Sequence, residues 1–310
     1  MEPILSTRKN NAVFLIMEYI KLLRPKEWIK NLFIFLPVFF AGKLFQVDRL
    51  LNLVLAFAAF SLVASCVYII NDYKDIEADR KHPTKQSRPL AAGTVSVPVA
   101  FVILSVCCIA GLFIAYQIKL LFFVLLLGYF LLNIGYCLGL KNISILDISL
   151  IAVGFVLRVK SGGVVGGVSV THWLTIMVFL LALFLAITKR RDDLYLKQIS
   201  GIDMRKAIKG YSLELLNILL AITAAIIIIA YIMYTISPDV IKRFGTYRLY
   251  YTSLFVIAGL FRYLQITYIN KGSESPTKAL YKDTFLQVIL ILWVFSFYII
   301  LYIPNIKVFD

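Results

Sequence analysis

The sequence predicts an all-α, polytopic membrane protein with about nine transmembrane helices bundled around a central cavity, and three observations carry that expectation. Of the 310 residues, 61% are hydrophobic and only 16% are charged, and the mean hydropathy is +0.86. Apolar runs of about 20 residues, each long enough to cross roughly 30 Å of hydrocarbon as a helix, recur along the whole chain. Lys and Arg concentrate on every second connection between those runs. Such a composition excludes an ordinary soluble domain.

Taken in order, the runs lie near residues 28–46, 48–70, 97–116, 120–139, 146–165, 173–188, 213–236, 248–268 and 284–303. The opening MEPILSTRKN lacks the basic, apolar and small-residue order of a cleavable signal, so the first span is expected to stay in the mature protein. Cys66, Cys107, Cys108 and Cys137 sit in apolar runs without metal-ligand spacing and read as small core residues.

A net charge of +15 invites a nucleic-acid reading, but in a chain of spans the placement of the cations matters more than their sum. Of the 32 Lys and Arg, 22 fall in one set of alternate connections, seven in the other and three inside spans. The asymmetry puts the N-terminus in the cytoplasm, so the charge is read as a topology signal and not as a nucleic-acid surface; for Lys9, Lys206 and Lys278 the expectation is that they only direct topology and touch anionic lipid headgroups. The same sorting places the loops around Asp72, Lys141 and Lys189 on one side, where they are expected to line one cavity.

The second span runs directly into Asn71-Asp72-Tyr73-Lys74-Asp75-Ile76-Glu77-Ala78-Asp79. At 100° per residue Asn71, Asp75 and Asp79 share a helix face, with Asp72 beside the last two. Stacked carboxylates repel by a few tenths of a kcal/mol per pair, so a bound cation explains them economically. Mg²⁺ suits hard oxygen ligands and is usually held by one or two carboxylates together with substrate phosphates. The alternative is a solvated helix end balanced by Lys74, Arg80 and Lys81. The following loop, His82-Pro83-Thr84-Lys85-Gln86-Ser87-Arg88-Pro89, offers Lys85 and Arg88 to a multi-phosphate ligand.

Arg158 and Lys160 lie within the apolar stretch 148–165, where charge is costly and marks a ligand, a pathway or a partner. Arg158 is read as a phosphate ligand, with an ion pair to a carboxylate such as Asp147 as the alternative. Glycines 162, 163, 166 and 167 follow, and the span is expected to break there. The sixth span ends in Lys189-Arg190-Arg191-Asp192-Asp193; helical spacing puts Lys189 and Asp193 on one face with Arg190 adjacent. Tyr136 and Lys141 close the fourth span, either as ligands or as an interfacial pair. Lys26 and Lys30, near Trp28, are weaker candidates for a phosphate cradle, and His172 reads as structural.

Nine predicted spans and the Asn71-Asp-x-x-Asp-x-x-x-Asp79 string resemble the UbiA superfamily of intramembrane prenyltransferases. Leu23-Arg-Pro-Lys-Glu-Trp-Ile-Lys-Asn31, Asp79-Arg-Lys-His-Pro-x-Lys-x-x-Arg-Pro89, Gly154-Phe-Val-Leu-Arg158 and Lys189-Arg-Arg191 are similar to its decaprenyl-phosphate phosphoribosyltransferase branch. The resemblance implies one transmembrane domain over 1–310, with motif-bearing loops near 71–95 and 188–211. It implies an enzyme of the inner membrane, working at the cytoplasmic face, that moves 5-phosphoribosyl from 5-phosphoribosyl 1-diphosphate to a polyprenyl phosphate with Mg²⁺. Asn71, Asp72, Asp75 and Asp79 would hold the metal; Lys85, Arg88, Arg158, Lys189 and Arg190 would divide between the two substrates' phosphates.

The superfamily carries a second aspartate-rich motif at the end of the sixth span, whereas this chain has Lys189-Arg190-Arg191 before Asp192 and Asp193. That departure disfavours a rival reading in which isoprenyl diphosphate is the donor. A second rival, an ion-coupled transporter, predicts a repeated half that the sequence does not show.

Overall fold

In lipid only a helix or a closed barrel satisfies its own backbone, and this chain uses helices. The computed structural model describes residues 2–44, 46–81, 84–200, 206–269 and 282–302. Seven helices are long and apolar enough to cross a membrane among these residues, and an eighth apolar helix, Thr284–Ile300, is shorter. The fold is the polytopic all-α bundle that composition predicts, with differences at particular elements. It divides into two compact units, residues 1–140 with 157–169, and residues 141–156 with 170–310.

The first unit begins with α1 (Glu2–Leu23), a helix outside the predicted spans. The predicted first span, 28–46, is not one α-helix: a 3₁₀ helix over Pro25–Phe35 leads into α2 (Leu36–Phe40). Pro37 explains a break there, because proline removes a ladder hydrogen bond and crowds the preceding turn. α3 (Val47–Lys74) is the unit's central helix, with 61% of its apolar stretch buried in protein against 17% for α6 (Val97–Ile118). Two short helices, α4 (Ile76–Arg80) and α5 (Pro89–Ala92), lie between them in sequence.

α6 shows how the packing is written. Ala100, Cys107, Gly111 and Ala115 are buried, whereas Val102, Val106, Ile109 and Phe113 form an exposed stripe at lipid-facing spacing. A Cβ on Gly111 would come within 2.9 Å of the Ala59 carbonyl oxygen on α3, so the missing side chain is what allows the approach. α7 (Leu120–Leu138) completes the core, in which Phe60 and Val63 meet Phe122, Leu126 and Tyr129.

α8 (Leu146–Gly166) does not break at its glycines; it runs through Gly166 and ends where Gly167 takes φ +62°. A Cβ on Gly162 would sit 1.9 Å from the Ile34 carbonyl oxygen, and one on Gly166 would sit 2.2 Å from Val38 Cγ2. These residues, four apart, are a small-residue face against the 34–38 segment. Close packing, not an opened backbone, is their use.

The second unit contains the first half of α8, then α9 (His172–Ser200), α10 (Leu213–Thr235), α11 (Pro238–Phe244), α12 (Ser253–Ile269) and α13 (Thr284–Tyr302). Its core gathers Phe184, Ile187, Leu216, Leu220 and Tyr263. α9 outruns the predicted span 173–188 by about three turns, which keeps Lys189 to Asp193 helical. Cys66, Cys107, Cys108 and Cys137 are all free thiols.

Candidate active site

The last turn of α3 presents Asn71 and Asp72, and the chain then leaves the helix for one residue at Asp75 (φ −100°, ψ 7°) before α4 begins. A continuous helix with Asn71, Asp75 and Asp79 on one face is therefore not what forms. The interruption sorts the four residues into two pairs. Asn71 Nδ2 donates to Asp75 Oδ2 at 3.1 Å, while Asp72 and Asp79, each only 2% exposed, are joined through a single atom. That atom is Arg88 Nη1, 3.0 Å from Asp72 Oδ1 and 2.6 Å from Asp79 Oδ2. Arg88, which the sequence offers with Lys85 to a phosphate ligand, pairs here with the acids themselves; Lys85 lies three residues away, its carbonyl accepting the Arg88 N–H at 3.0 Å. His82 and Pro83 lie outside the described residues.

A second arginine, which residue patterns did not single out as a ligand, completes the cluster. Arg24 Nη2 donates to Asp72 Oδ1 at 2.5 Å, and its guanidinium lies 5.1 Å from the centre of the Tyr68 ring. Arg24 has φ 53° and ψ 59°, a left-handed conformation. Placed between α1 and Pro25, it is steered from the right-handed helical region by the proline that follows. The sequence signal was there in Leu23-Arg24-Pro25, but its target lies 48 residues on. With two guanidinium groups on two buried carboxylates, the cluster is charge-balanced; losing either side would leave an uncompensated buried charge.

Among the described residues no group of three or more His, Cys, Asp and Glu is placed to hold a metal ion by itself. Asp72 and Asp79 nevertheless present hard carboxylate oxygens to one shared cationic nitrogen. That donor set fits Mg²⁺, which takes one or two carboxylates and completes its shell with water and substrate phosphate.

Elsewhere in the same unit Arg158 is 5% exposed. Its Nε donates to Asn31 Oδ1 at 2.8 Å and its Nη2 to the Tyr129 hydroxyl at 2.9 Å. The Tyr129 and Phe60 rings flank it at 4.7 and 5.4 Å. Asp147 does not serve it in these contacts; that carboxylate belongs to Arg190, below. Asn31 and Tyr129 were legible only as one polar residue near the first span and one aromatic in the fourth. Lys30 pairs with Glu27 one 3₁₀ turn away, Lys26 is exposed, and Tyr136 packs at the edge of the core. Lys160 is half-buried.

In the second unit Arg190 is the centre. It is 1% exposed, with Nε 2.5 Å from Asp147 Oδ2 and Nη1 2.9 Å from Asp193 Oδ2. Lys189 Nζ approaches Asp193 Oδ1 at 3.9 Å, as helical spacing predicts. Arg191 turns elsewhere: its Nη1 donates to the Thr267 carbonyl at 2.8 Å, near the C-terminal end of α12, and its Nε to Asn217 Oδ1. Tyr211, unmarked in the sequence, donates its hydroxyl to Asp147 Oδ1 at 2.7 Å and accepts the Ile145 N–H at 2.6 Å. Burial, and then the bond to Asp147, push the Tyr211 phenol up, so it stays a donor. Ile145 has φ 68°, a conformation a β-branched residue rarely adopts, and that hydrogen bond helps to hold it. Lys141 sits at the start of this loop, in a 3₁₀ turn over Leu140–Asn142.

Comparison with known proteins places this arrangement. The model of the UbiA prenyltransferase family matches residues 31–286.

The chain belongs to the UbiA prenyltransferase family.

Among its UbiA relatives is the decaprenyl-phosphate phosphoribosyltransferase of Corynebacterium glutamicum, 32% identical, the match covering 92% of this chain and 86% of that protein. The enzyme of the same name from Mycolicibacterium smegmatis is 30% identical, with 90% and 91% covered. A UbiA homolog from Archaeoglobus fulgidus, solved bound to DMAPP and Mg²⁺, superposes with a TM-score of 0.69 at 22% identity, covering 92% of this chain and 99% of that one. The chain is thus a polytopic membrane transferase, of the branch that its sequence strings suggest.

Proposed function

We propose that the protein transfers 5-phosphoribosyl from 5-phosphoribosyl 1-diphosphate to a polyprenyl phosphate, releasing diphosphate, at the cytoplasmic face of the inner membrane. The observation that carries this reading is the buried pair Asp72 and Asp79 on one Arg88 nitrogen, in a chain whose relatives bear that enzyme's name. Asn71, Asp72, Asp75 and Asp79 would hold Mg²⁺. When bound, the ion supplies charge neutralisation to a diphosphate leaving group.

The remaining work falls to the chain's own groups. Arg88 and Lys85 offer donors to the phosphate oxygens of the sugar donor, Arg88 in the planar geometry that suits bidentate binding. Negative charge builds on the leaving group as the C1–O bond breaks, and fixed cations stabilise it without reorganising. The lipid phosphate is an anion at neutral pH and attacks without a strong general base. Arg158, Lys189, Arg190 and Asp193 are assigned to the substrates' remaining polar groups, with Lys26, Lys30, Tyr136 and Lys141 as outlying contacts. The polyprenyl tail needs only apolar surface open to lipid.

The charge sign over residues 189–193 of α9 favours a phosphorylated sugar over an isoprenyl donor, because Asp193 is engaged with Arg190 and Lys189. The experiment is diphosphate release by purified protein in detergent with Mg²⁺ and polyprenyl phosphate. Release that needs both 5-phosphoribosyl 1-diphosphate and the lipid, and that falls at least a hundredfold in Asp72→Asn, is expected. Turnover only with isoprenyl diphosphate and an aromatic acceptor would overturn the donor assignment.

A further inference from the structure

Both arginines on Asp72 trace back to one helix. α1 ends at Leu23, and the next residue is Arg24, so the placement of α1 sets where that guanidinium reaches. Arg88 opens the segment Arg88-Pro89-Leu90-Ala91-Ala92-Gly93-Thr94, which is folded on itself: the Thr94 and Val95 N–H groups both return to the Pro89 carbonyl, at 3.0 and 3.3 Å, around Gly93 at φ 73°. This small loop is tied to α1 by one side-chain bond. Thr94 Oγ1 donates to Glu18 Oε2 at 2.6 Å, and Lys21 Nζ donates to Glu18 Oε1 at 2.5 Å.

Glu18 is only 3% exposed, although Val13, Phe14, Leu15, Ile16 and Met17 just before it are exposed. A buried carboxylate is retained at a cost unless its oxygens are bonded, and here each oxygen has its own donor. Leu22, one turn further along α1, packs with Ile69, Leu90 and Val95, so the apolar contacts run beside the polar one. Arg80 Nε, on the helix that carries Asp79, also donates to the Ala91 carbonyl within the same loop at 3.3 Å. The loop is thus held from two sides, with Arg88 at its head.

We propose that Glu18 and Thr94 are positioning residues for the donor's diphosphate: their hydrogen bond fixes the loop that aims Arg88 at the acidic pair. The proposal rests on the phosphate-binding reading of Arg88, Asp72 and Asp79. Neither residue touches substrate. Their effect is on where the Arg88 guanidinium rests, and hence on affinity for the donor rather than for the lipid.

The test uses the full chain in detergent and a probe that does not presume the sugar, Mn²⁺ with inorganic pyrophosphate followed by the Mn²⁺ electron paramagnetic resonance signal. Thr94→Val keeps the side chain's shape and removes the hydroxyl; it is expected to weaken probe binding about tenfold, as the loss of one hydrogen bond to a charged group predicts. Thr94→Ser, which restores the donor, is expected to restore binding. In turnover assays Thr94→Val should raise the KM for the sugar diphosphate and leave the KM for the lipid and kcat near wild type. Should Thr94→Val not fold, Glu18→Ala removes the other end of the same bond and carries the same expectation. Wild-type affinity for the probe in a folded Thr94→Val or Glu18→Ala protein overturns the proposal while leaving the site intact. Failure of the wild type to bind the probe, or equal binding by Asp72→Asn, removes the phosphate reading itself and the proposal with it.

Discussion

Gly162→Ala adds one methyl group, and the structure says where it goes. The new Cβ would stand 1.9 Å from the Ile34 carbonyl oxygen and 2.7 Å from its carbon, both backbone atoms that cannot rotate away. Ordinary contact begins near 3.4 Å, so α8 and the 3₁₀ segment must part by about 1.5 Å. One turn earlier on each strand of that contact, Arg158 Nε meets Asn31 Oδ1 at 2.8 Å. The same displacement would open that bond to about 4.3 Å, beyond hydrogen-bond range. Overpacking costs about 1–3 kcal/mol, and a hydrogen bond lost from a buried charged group adds about 1–3 kcal/mol.

The expected result is a fall in unfolding temperature on the order of 10 °C in detergent, together with loss of activity. Gly128→Ala is the control: it lies in α7, and a Cβ there meets nothing within 4 Å. That change should be neutral or mildly stabilising, by up to about 1 kcal/mol. Equal behaviour of the two variants would refute the close contact and, with it, the reading of Gly162 and Gly166 as a packing face.

Arg190→Met leaves Asp147 buried without its cation and should cost about 3–5 kcal/mol in unfolding measurements, with Asp147→Asn in the same chain recovering part of the loss. Arg190→Lys should rescue little, since an ammonium lacks the fork that reaches Asp147 and Asp193 together. Asp283, at the start of α13, accepts from Arg262 and from the Leu286 N–H, and the Arg262 bond first of all holds its carboxyl below the usual carboxylate range. A lowered folded value means the stabilisation is complete above the ordinary carboxylate range and is lost as pH falls through the folded value. Wild type should therefore outlast Asp283→Asn near pH 7 in thermal unfolding, and the gap should close in acid; a constant gap would show that the charge plays no part.

Composition and run length by themselves determined that this is a helical membrane protein, because hydrocarbon leaves a chain so apolar few other ways to satisfy its backbone. The string from Asn71 to Asp79, with Lys85 and Arg88 following, was legible because its chemistry is local: a few turns of chain carry acids and bases in sequence. Helical spacing likewise gave Lys189 beside Asp193. Pairing over distance was not legible. Arg24 reaches Asp72, Arg158 reaches Asn31 and Tyr129, and Tyr211 reaches Asp147 across separations no period encodes. A helix break at Asp75 and its absence at Gly162 ran against local expectation for a related reason. What a glycine or an aspartate does at such a point depends on which backbone lies opposite, and only the packed structure supplies that neighbour.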